Sequence, residues 1–205
     1  VEGFPINLGE KVKIGVALAD FNGNGKDDII VGTDDDNIHL IYDDGVVGFT
    51  FTAGDKIRSA PIIIDNGIEK LIVVGSKDDN LYAINGSGEL QFQFNCNDEI
   101  YTSPTVLATP TGSMIFFGDD SGNVYAVDFN GNLKEGYPIS IYNQDILLAF
   151  DSIIGSIVFE DIDSDGYAEI MFGDGGGDLH ILKATDNTYS DFYYYNSMPL
   201  SNTFS

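Results

Sequence analysis

Tryptophan is absent from this 205-residue chain, cysteine occurs once, histidine twice, and lysine and arginine together nine times. Each shortage excludes something. A single cysteine, Cys96, cannot close an internal disulfide, so thiols say nothing about the compartment. With no histidine nearby in the sequence, Cys96 reads as a small, inert residue near a strand end. The missing indole weakens any aromatic sugar platform, although tyrosines could still stack on sugars. Nine basic residues against 33 acidic ones leave a formal charge of -24, which argues against nucleic acid or an anionic membrane surface as a partner, because both would repel the chain. No apolar run approaches the roughly 18 residues of a membrane-spanning helix. Val1 is not followed by a basic and then an apolar region, so no signal peptide is expected, and a mature secreted chain or an excised fragment would look the same.

What the chain has in abundance is β-forming and turn-forming residues. Hydrophobic residues make up 43%, with 14 Phe and 11 Tyr, too many for a disordered acidic tail. The length suits one domain with a substantial core. Four segments align on a glycine that follows a short apolar run: Gly32, Gly75, Gly118 and Gly173. The runs before them are Ile29-Ile30-Val31, Ile72-Val73-Val74, Ile115-Phe116-Phe117 and Ile170-Met171-Phe172, β-branched or aromatic in most positions and too short for helices. The second unit shows the layout best, with strands expected over 59–65, 70–76, 80–85 and 89–94, separated by turns such as Asn85-Gly86-Ser87-Gly88. Four short antiparallel strands at a period in the low forties describe a blade of a β-propeller. The expected fold is therefore an all-β propeller of about four four-stranded blades, with repeats near 11–56, 57–99, 100–152 and 153–197. It is either a closed four-blade ring or, as the blade length favours, an arc of a larger propeller. Residues 1–9 resemble the segment from Glu135, which puts the start of the chain on the outer strand of a blade. Extra residues near 138–152 form an insertion with an apolar centre.

The first and fourth units carry an oxygen-rich loop. It reads Asp20-x-Asn22-x-Asn24-Gly25-x-x-Asp28 in one and Asp161-x-Asp163-x-Asp165-Gly166-x-x-Glu169 in the other. Side-chain oxygens at positions 1, 3, 5 and 9 around a glycine bend suit a hard cation wanting six to eight oxygens, calcium before magnesium. An EF-hand would need a bidentate Glu at position 12 and flanking helices, but that position is Val31 or Phe172, each in a strand. Four carboxylates against two predict tighter binding at the fourth-unit loop. In units two and three the loop is shorter, and Leu71 and Met114 take the place of the last acidic residue, so no calcium is expected there.

Loop, strand and glycine turn together resemble the FG-GAP/VCBS repeat family of β-propellers, over most of the chain, with 20–32 and 161–173 as the complete copies. The resemblance implies a structural calcium in each complete loop. Its ligands would be Asp20, Asn22, Asn24 and Asp28 with the Lys26 carbonyl, and Asp161, Asp163, Asp165 and Glu169 with the Tyr167 carbonyl. It also implies an extracellular or cell-surface module that binds protein or glycan, belonging with further blades or domains of a longer parent chain.

Other patterns read blandly. Gly173-Asp-Gly-Gly-Gly-Asp178 precedes a strand and aligns with three hairpin turns, so it is no phosphate cradle. His39 and His180 align with Tyr82 and Tyr125, which marks a packing position. Asn85-Gly86-Ser87 matches a glycosylation acceptor but is already explained as a turn. Tyr193-Tyr194-Tyr195 fits an outer strand of the last blade. No catalytic set stands out. The alternative function is a non-catalytic or partial propeller of a secreted polysaccharide-degrading enzyme, whose active residues lie elsewhere or in the insertion.

Overall fold

The computed structural model describes residues 3–110, 112–140, 152–184, 189 and, for the backbone, 192–194. The insertion over 141–151, with the active residues the enzyme alternative would put there, lies outside the described residues, as does Tyr195. Within them the chain is an all-β propeller of four antiparallel four-stranded blades, each strand pairing with the next in sequence. Blade one comprises β1 (Ala17–Ala19), β2 (Asp28–Gly32), β3 (Asn37–Ile41) and β4 (Val47–Thr52). Blade two comprises β5 (Ile62–Asp65), β6 (Lys70–Gly75), β7 (Asn80–Asn85) and β8 (Leu90–Asn95). Blade three runs through β9 (Thr105–Thr109), β10 (Gly112–Gly118), β11 (Asn123–Asp128) and β12 (Ile139–Ser140). Blade four holds β13 (Ile153–Glu160), β14 (Glu169–Asp174), β15 (Leu179–Ala184) and β16 (Phe192–Tyr194).

Period-two alternation gives each central strand two apolar faces, and both must be covered. One face of blade one, with Ile30, Ile38 and Leu40, packs on Ile72, Val74, Tyr82 and Ile84 of blade two. The opposite face of blade two, with Val73, Leu81 and Ala83, packs on Ile115, Phe117, Tyr125 and Val127 of blade three. Met114, Phe116, Val124 and Ala126 then meet Ile170, Phe172 and Leu182 of blade four. The core is thus three interblade layers. β1 stands beside β5 and β13 beside β9, while no comparable contact joins blade four to blade one among the described residues. Among the described residues the four blades form an arc.

The aligned glycines explain how the layers close. A Cβ on Gly32 would lie 2.3 Å from Ile57 Cγ2, one on Gly75 would lie 2.3 Å from Ile100 Cγ2, and one on Gly118 would lie 2.7 Å from Ile153. Each isoleucine leads into the following blade and is buried. Two positions later a hydroxyl clasps the glycine of its own blade. Ser59 accepts from the Gly75 amide at 3.2 Å, and Thr102 accepts from that of Gly118 at 2.8 Å. One short segment therefore fits the hole in the blade behind and holds the blade ahead.

Register confirms the aligned aromatic slot: Val31 faces His39, Val74 faces Tyr82, Phe117 faces Tyr125 and Phe172 faces His180. The polar tips are held by turn residues. Tyr82 donates to Asp78 at 2.6 Å and Tyr125 to Asp119 at 2.9 Å, while His180 Nε2 lies 2.8 Å from Asp174. Cys96 is buried, and its Sγ donates to the carbonyls of Asp79 and Asp98; burial pushes the thiol up to about 12, the inert state expected for it. Asn85 is buried too and accepts the amides of Ser87 and Glu89, a hairpin role. The segments around Phe4-Pro5 and Tyr137-Pro138 share a preceding glycine at positive φ and a cis bond, matching their sequence likeness.

Two outcomes are expected. Gly75→Val forces a side chain into Ile100 and should destabilise by about 1–3 kcal/mol, measured by denaturant unfolding. His39 is held below its ordinary value by burial, with nearby Asp35 opposing. The unfolded chain therefore protonates first, and stability falls as the pH drops below the unfolded value near 6.5. His39→Tyr should flatten the loss of thermal stability between neutral and mildly acidic pH relative to the parent.

Candidate metal centre

The two oxygen-rich loops are the same structure built twice. In the first, the Asp20 carboxylate accepts the amides of Asn24 and Gly25 at 3.2 and 2.8 Å; in the other, Asp161 accepts those of Asp165 and Gly166 at 3.0 and 2.9 Å. Phe21 donates to Asp28 as Ile162 donates to Glu169, both at 2.9 Å. Lys26 donates its amide to Asn24 at 2.8 Å as Tyr167 does to Asp165 at 2.9 Å. The bends need left-handed residues, supplied by Gly23 and Gly25 in one loop and Ser164 and Gly166 in the other. Short acidic and amide side chains at alternate positions are thus turned inward by their own backbone amides. The Gly25 amide leads those that hold the Asp20 carboxyl below its ordinary range against partial burial.

Loop four gathers charge most tightly. Asp161, Asp163 and Glu169 each offer an oxygen within 4.8 Å of the others, a spacing a single cation with oxygen bonds of about 2.3–2.6 Å can bridge. Glu169 is fully buried, and its Oε1 has no hydrogen-bond partner while Oε2 accepts from Ile162. A buried, unpartnered carboxylate oxygen is costly unless something positive reaches it. Asp165, the fourth expected side-chain ligand, is not in that group, and its carboxylate holds the Lys183 ammonium at 2.6 Å. Tyr167 packs against the core layer between blades three and four, which anchors the loop, and its carbonyl is the remaining expected ligand. These residues fit a hard divalent cation.

In loop one, Asp20, Asn22, Asn24 and Asp28 lie on the same bend as Lys26, but the oxygens are more thoroughly engaged. Asn22 Oδ1 accepts the Asn24 amide at 3.0 Å, and Asn22 Nδ2 and the Asp43 amide both reach Asp28 Oδ1 at 3.2 Å. Asp28 is fully buried, as Glu169 is. Register puts Asp28, Leu71, Met114 and Glu169 at one repeat position, each beside the strand end that faces Asn85, Asp128 or their equivalents. Leu71 and Met114 simply join the core there.

Three participants were not read from the sequence. The Lys183 ammonium lies on Asp163 and, at 2.6 Å, on Asp165. It keeps the Asp165 carboxyl low, and its own ammonium is driven well above the ordinary lysine range by the same two carboxylates. Asp43 binds the Lys26 ammonium at 2.6 Å and the Asn24 amide group at 2.7 Å. Lys70 of blade two donates to the Asp20 carbonyl at 2.7 Å, tying loop one to its neighbour. The hairpin register was the available signal: Ile170 pairs with Leu182, so the residue after Leu182 lies beside Glu169. A concavity of about 640 Å³ opens next to loop one between Phe21, Tyr42, Asp65, Glu69 and Lys70.

No protein-family model matches this chain, and no curated protein does either. Solved structures do, as β-propellers. BamB from Moraxella catarrhalis matches with a TM-score of 0.64 and 14% identity, over 91% of this chain and 53% of that one. BBS1N in complex with ARL6DN matches in two crystals. The mercury-soaked one has a TM-score of 0.58 and 13% identity, over 87% of this chain and 52% of that one. The lead-soaked one has 0.51 and 13%, over 82% and 46%. The chain spans about half the length of the solved structures it matches, and at these identities the likeness is one of fold.

Lys183 competes with any cation for Asp163 and Asp165. Lys183→Gln should therefore tighten calcium binding at loop four by about tenfold, a change of about 1.4 kcal/mol, read by calorimetric titration against the parent.

Proposed function

We propose that this chain is a calcium-stabilised propeller module of a secreted or cell-surface protein, one that binds a protein or glycan ligand and does no chemistry itself. The observation carrying the calcium reading is Glu169, a fully buried carboxylate with one oxygen unpartnered beside Asp161 and Asp163. Loop four is the stronger candidate on that ground. Loop one, with the same hydrogen-bond pattern, is the second site. Loop four keeps its four carboxylates, but Lys183 offsets part of the advantage the charge count suggests.

The bound ion would supply positive charge where the fold buries carboxylates, and the residues do the rest. Asp161 and Glu169 are fixed by loop amides, Tyr167 anchors the bend to the core, and the loop ties the first two strands of its blade together. In a chain of charge -24, neutralising these clusters also removes self-repulsion.

A binding role is supported by the fold and by the concavity near loop one. It is open and polar, and its single lysine is already committed to the Asp20 carbonyl. The BBS1N structures contain a propeller of this general fold with a protein partner, ARL6DN. A protein ligand is the leading class on that precedent. A glycan could use Tyr42 and Phe21 with the flanking carboxylates.

Calcium at 100 times its dissociation constant stabilises a one-site protein by about 2.7 kcal/mol. Adding calcium to chelator-treated protein should thus raise Tm by about 5–10 °C for a chain of this size. An unchanged Tm removes the structural role. Glu169→Gln should abolish most of that increase while leaving the chelated protein as stable as the parent or more so, because it removes an uncompensated buried charge. Screening the calcium-loaded chain against extracellular proteins and glycans, with chelator as the control, tests the binding role.

A further inference from the structure

The concavity of about 640 Å³ lies between blades one and two, on the face that carries loop one. Blade one brings Asp20, Phe21 and Tyr42 to it, and the β5–β6 hairpin of blade two brings Asp65, Ile68 and Glu69. Both rings are set in place before any ligand arrives. A Cβ on Gly86 would come within 2.9 Å of Phe21 Cδ1, and one on Gly48 within 2.7 Å of Tyr42 Cζ, so each ring lies over a glycine. Lys70 reaches across to the Asp20 carbonyl at 2.7 Å and holds one wall against the other. Walls ordered in advance lose little on binding.

Charge in this space is left uncompensated. Hairpin register sets Lys70 opposite Asp65, yet the ammonium goes to blade one instead. The Asp65 carboxylate accepts the Gly67 amide at 2.9 Å, and among the described residues neither it nor Glu69 forms an ion pair. Carboxylates elsewhere are answered: Asp34 by Lys13 and Arg58, Asp43 by Lys26, and Glu99 by Lys77. Asp20 is taken up by the amides of its own loop. Two fixed rings and two unpaired carboxylates therefore line one space.

That combination suits a guanidinium, which stacks on aromatic rings and forms planar hydrogen bonds to carboxylates. A neutral sugar would leave both charges uncompensated, and an acidic one would be repelled. Ile68, 90% exposed beside the carboxylates, offers an apolar contact that a peptide segment can use and a free amine cannot. The charge of -24 draws a basic segment in from a distance. On the binding role given above, on which this rests, we propose that the concavity receives an arginine from a basic segment of a protein partner. Its guanidinium sits between the rings of blade one and the carboxylates of blade two.

The calcium-loaded, isotope-labelled chain is titrated with acetyl-Arg-Leu-Arg-amide at about 0.15 M salt, where attraction over long distances is largely screened. Amide shifts should cluster over 65–70 and 86–87, and should be absent with acetyl-Gln-Leu-Gln-amide or maltohexaose. Asp65→Asn with Glu69→Gln should weaken binding at least about tenfold. Glu10→Gln with Glu135→Gln makes the same change of charge at exposed positions elsewhere and should weaken it less than about twofold. An amide spectrum unchanged away from the substitutions verifies the fold of each variant. Equal weakening by the two pairs overturns the proposal, as do equal shifts with the glutamine peptide or maltohexaose, or no shifts at millimolar arginine peptide. The binding role itself stands or falls separately, by the screen of whole extracellular proteins and glycans.

Discussion

Everything in this fold turns on an atom that is not there. The second strand of each blade carries a glycine at or next to its end, and in three blades the space a Cβ would fill is taken by the isoleucine that leads into the next blade. A close backbone approach of this kind tolerates no side chain, and the adjoining hydroxyls of Ser59 and Thr102 hold the glycine amides in place. Stacked sheets otherwise slide, since aliphatic layers are only weakly directional. The slot gives each layer a fixed point, so the three cores form in register along the arc.

The acidic loops obey the same repeat but part from it at one position. Where blades two and three place Leu71 and Met114 in the core, blades one and four bury Asp28 and Glu169. Burying a carboxylate is unfavourable unless hydrogen bonds or a cation compensate. Loop one compensates Asp28 largely with amides and Asn22, while loop four leaves an oxygen of Glu169 unpartnered. Two nearly identical bends thus differ in how much they demand of a cation. Lysines complete the picture: Lys26 answers Asp43, and Lys183 answers Asp163 and Asp165. In a chain with nine basic residues, three of them, counting Lys70 on the Asp20 carbonyl, stand at these loops.

Much of this was legible beforehand because it is local. A nonapeptide with oxygens at alternate positions shapes itself through amides at most seven residues away, so both loops could be drawn from spacing alone. Strands of blade two fell within a residue or so of expectation, except that β5 begins at Ile62 because Ser59 and Pro61 serve the interblade segment. The shared slot of His39, Tyr82, Tyr125 and His180 followed from period and register. Lys183, Asp43 and Lys70 were not legible, since each reaches a loop from another strand or another blade. The choice between a closed ring and an arc was open for the same reason.

By itself, then, the sequence determined the blade, the number of repeats and the shape of each acidic bend, because hydrogen bonds and alternation act over a few residues. Tertiary structure alone decided which carboxylate oxygen is left without a partner, which lysines stand over the loops, and that among the described residues the strands of the outermost blades make no contact comparable to those between neighbouring blades. Those depend on distances between segments far apart in the chain, which sheet twist and the seating of each isoleucine set together.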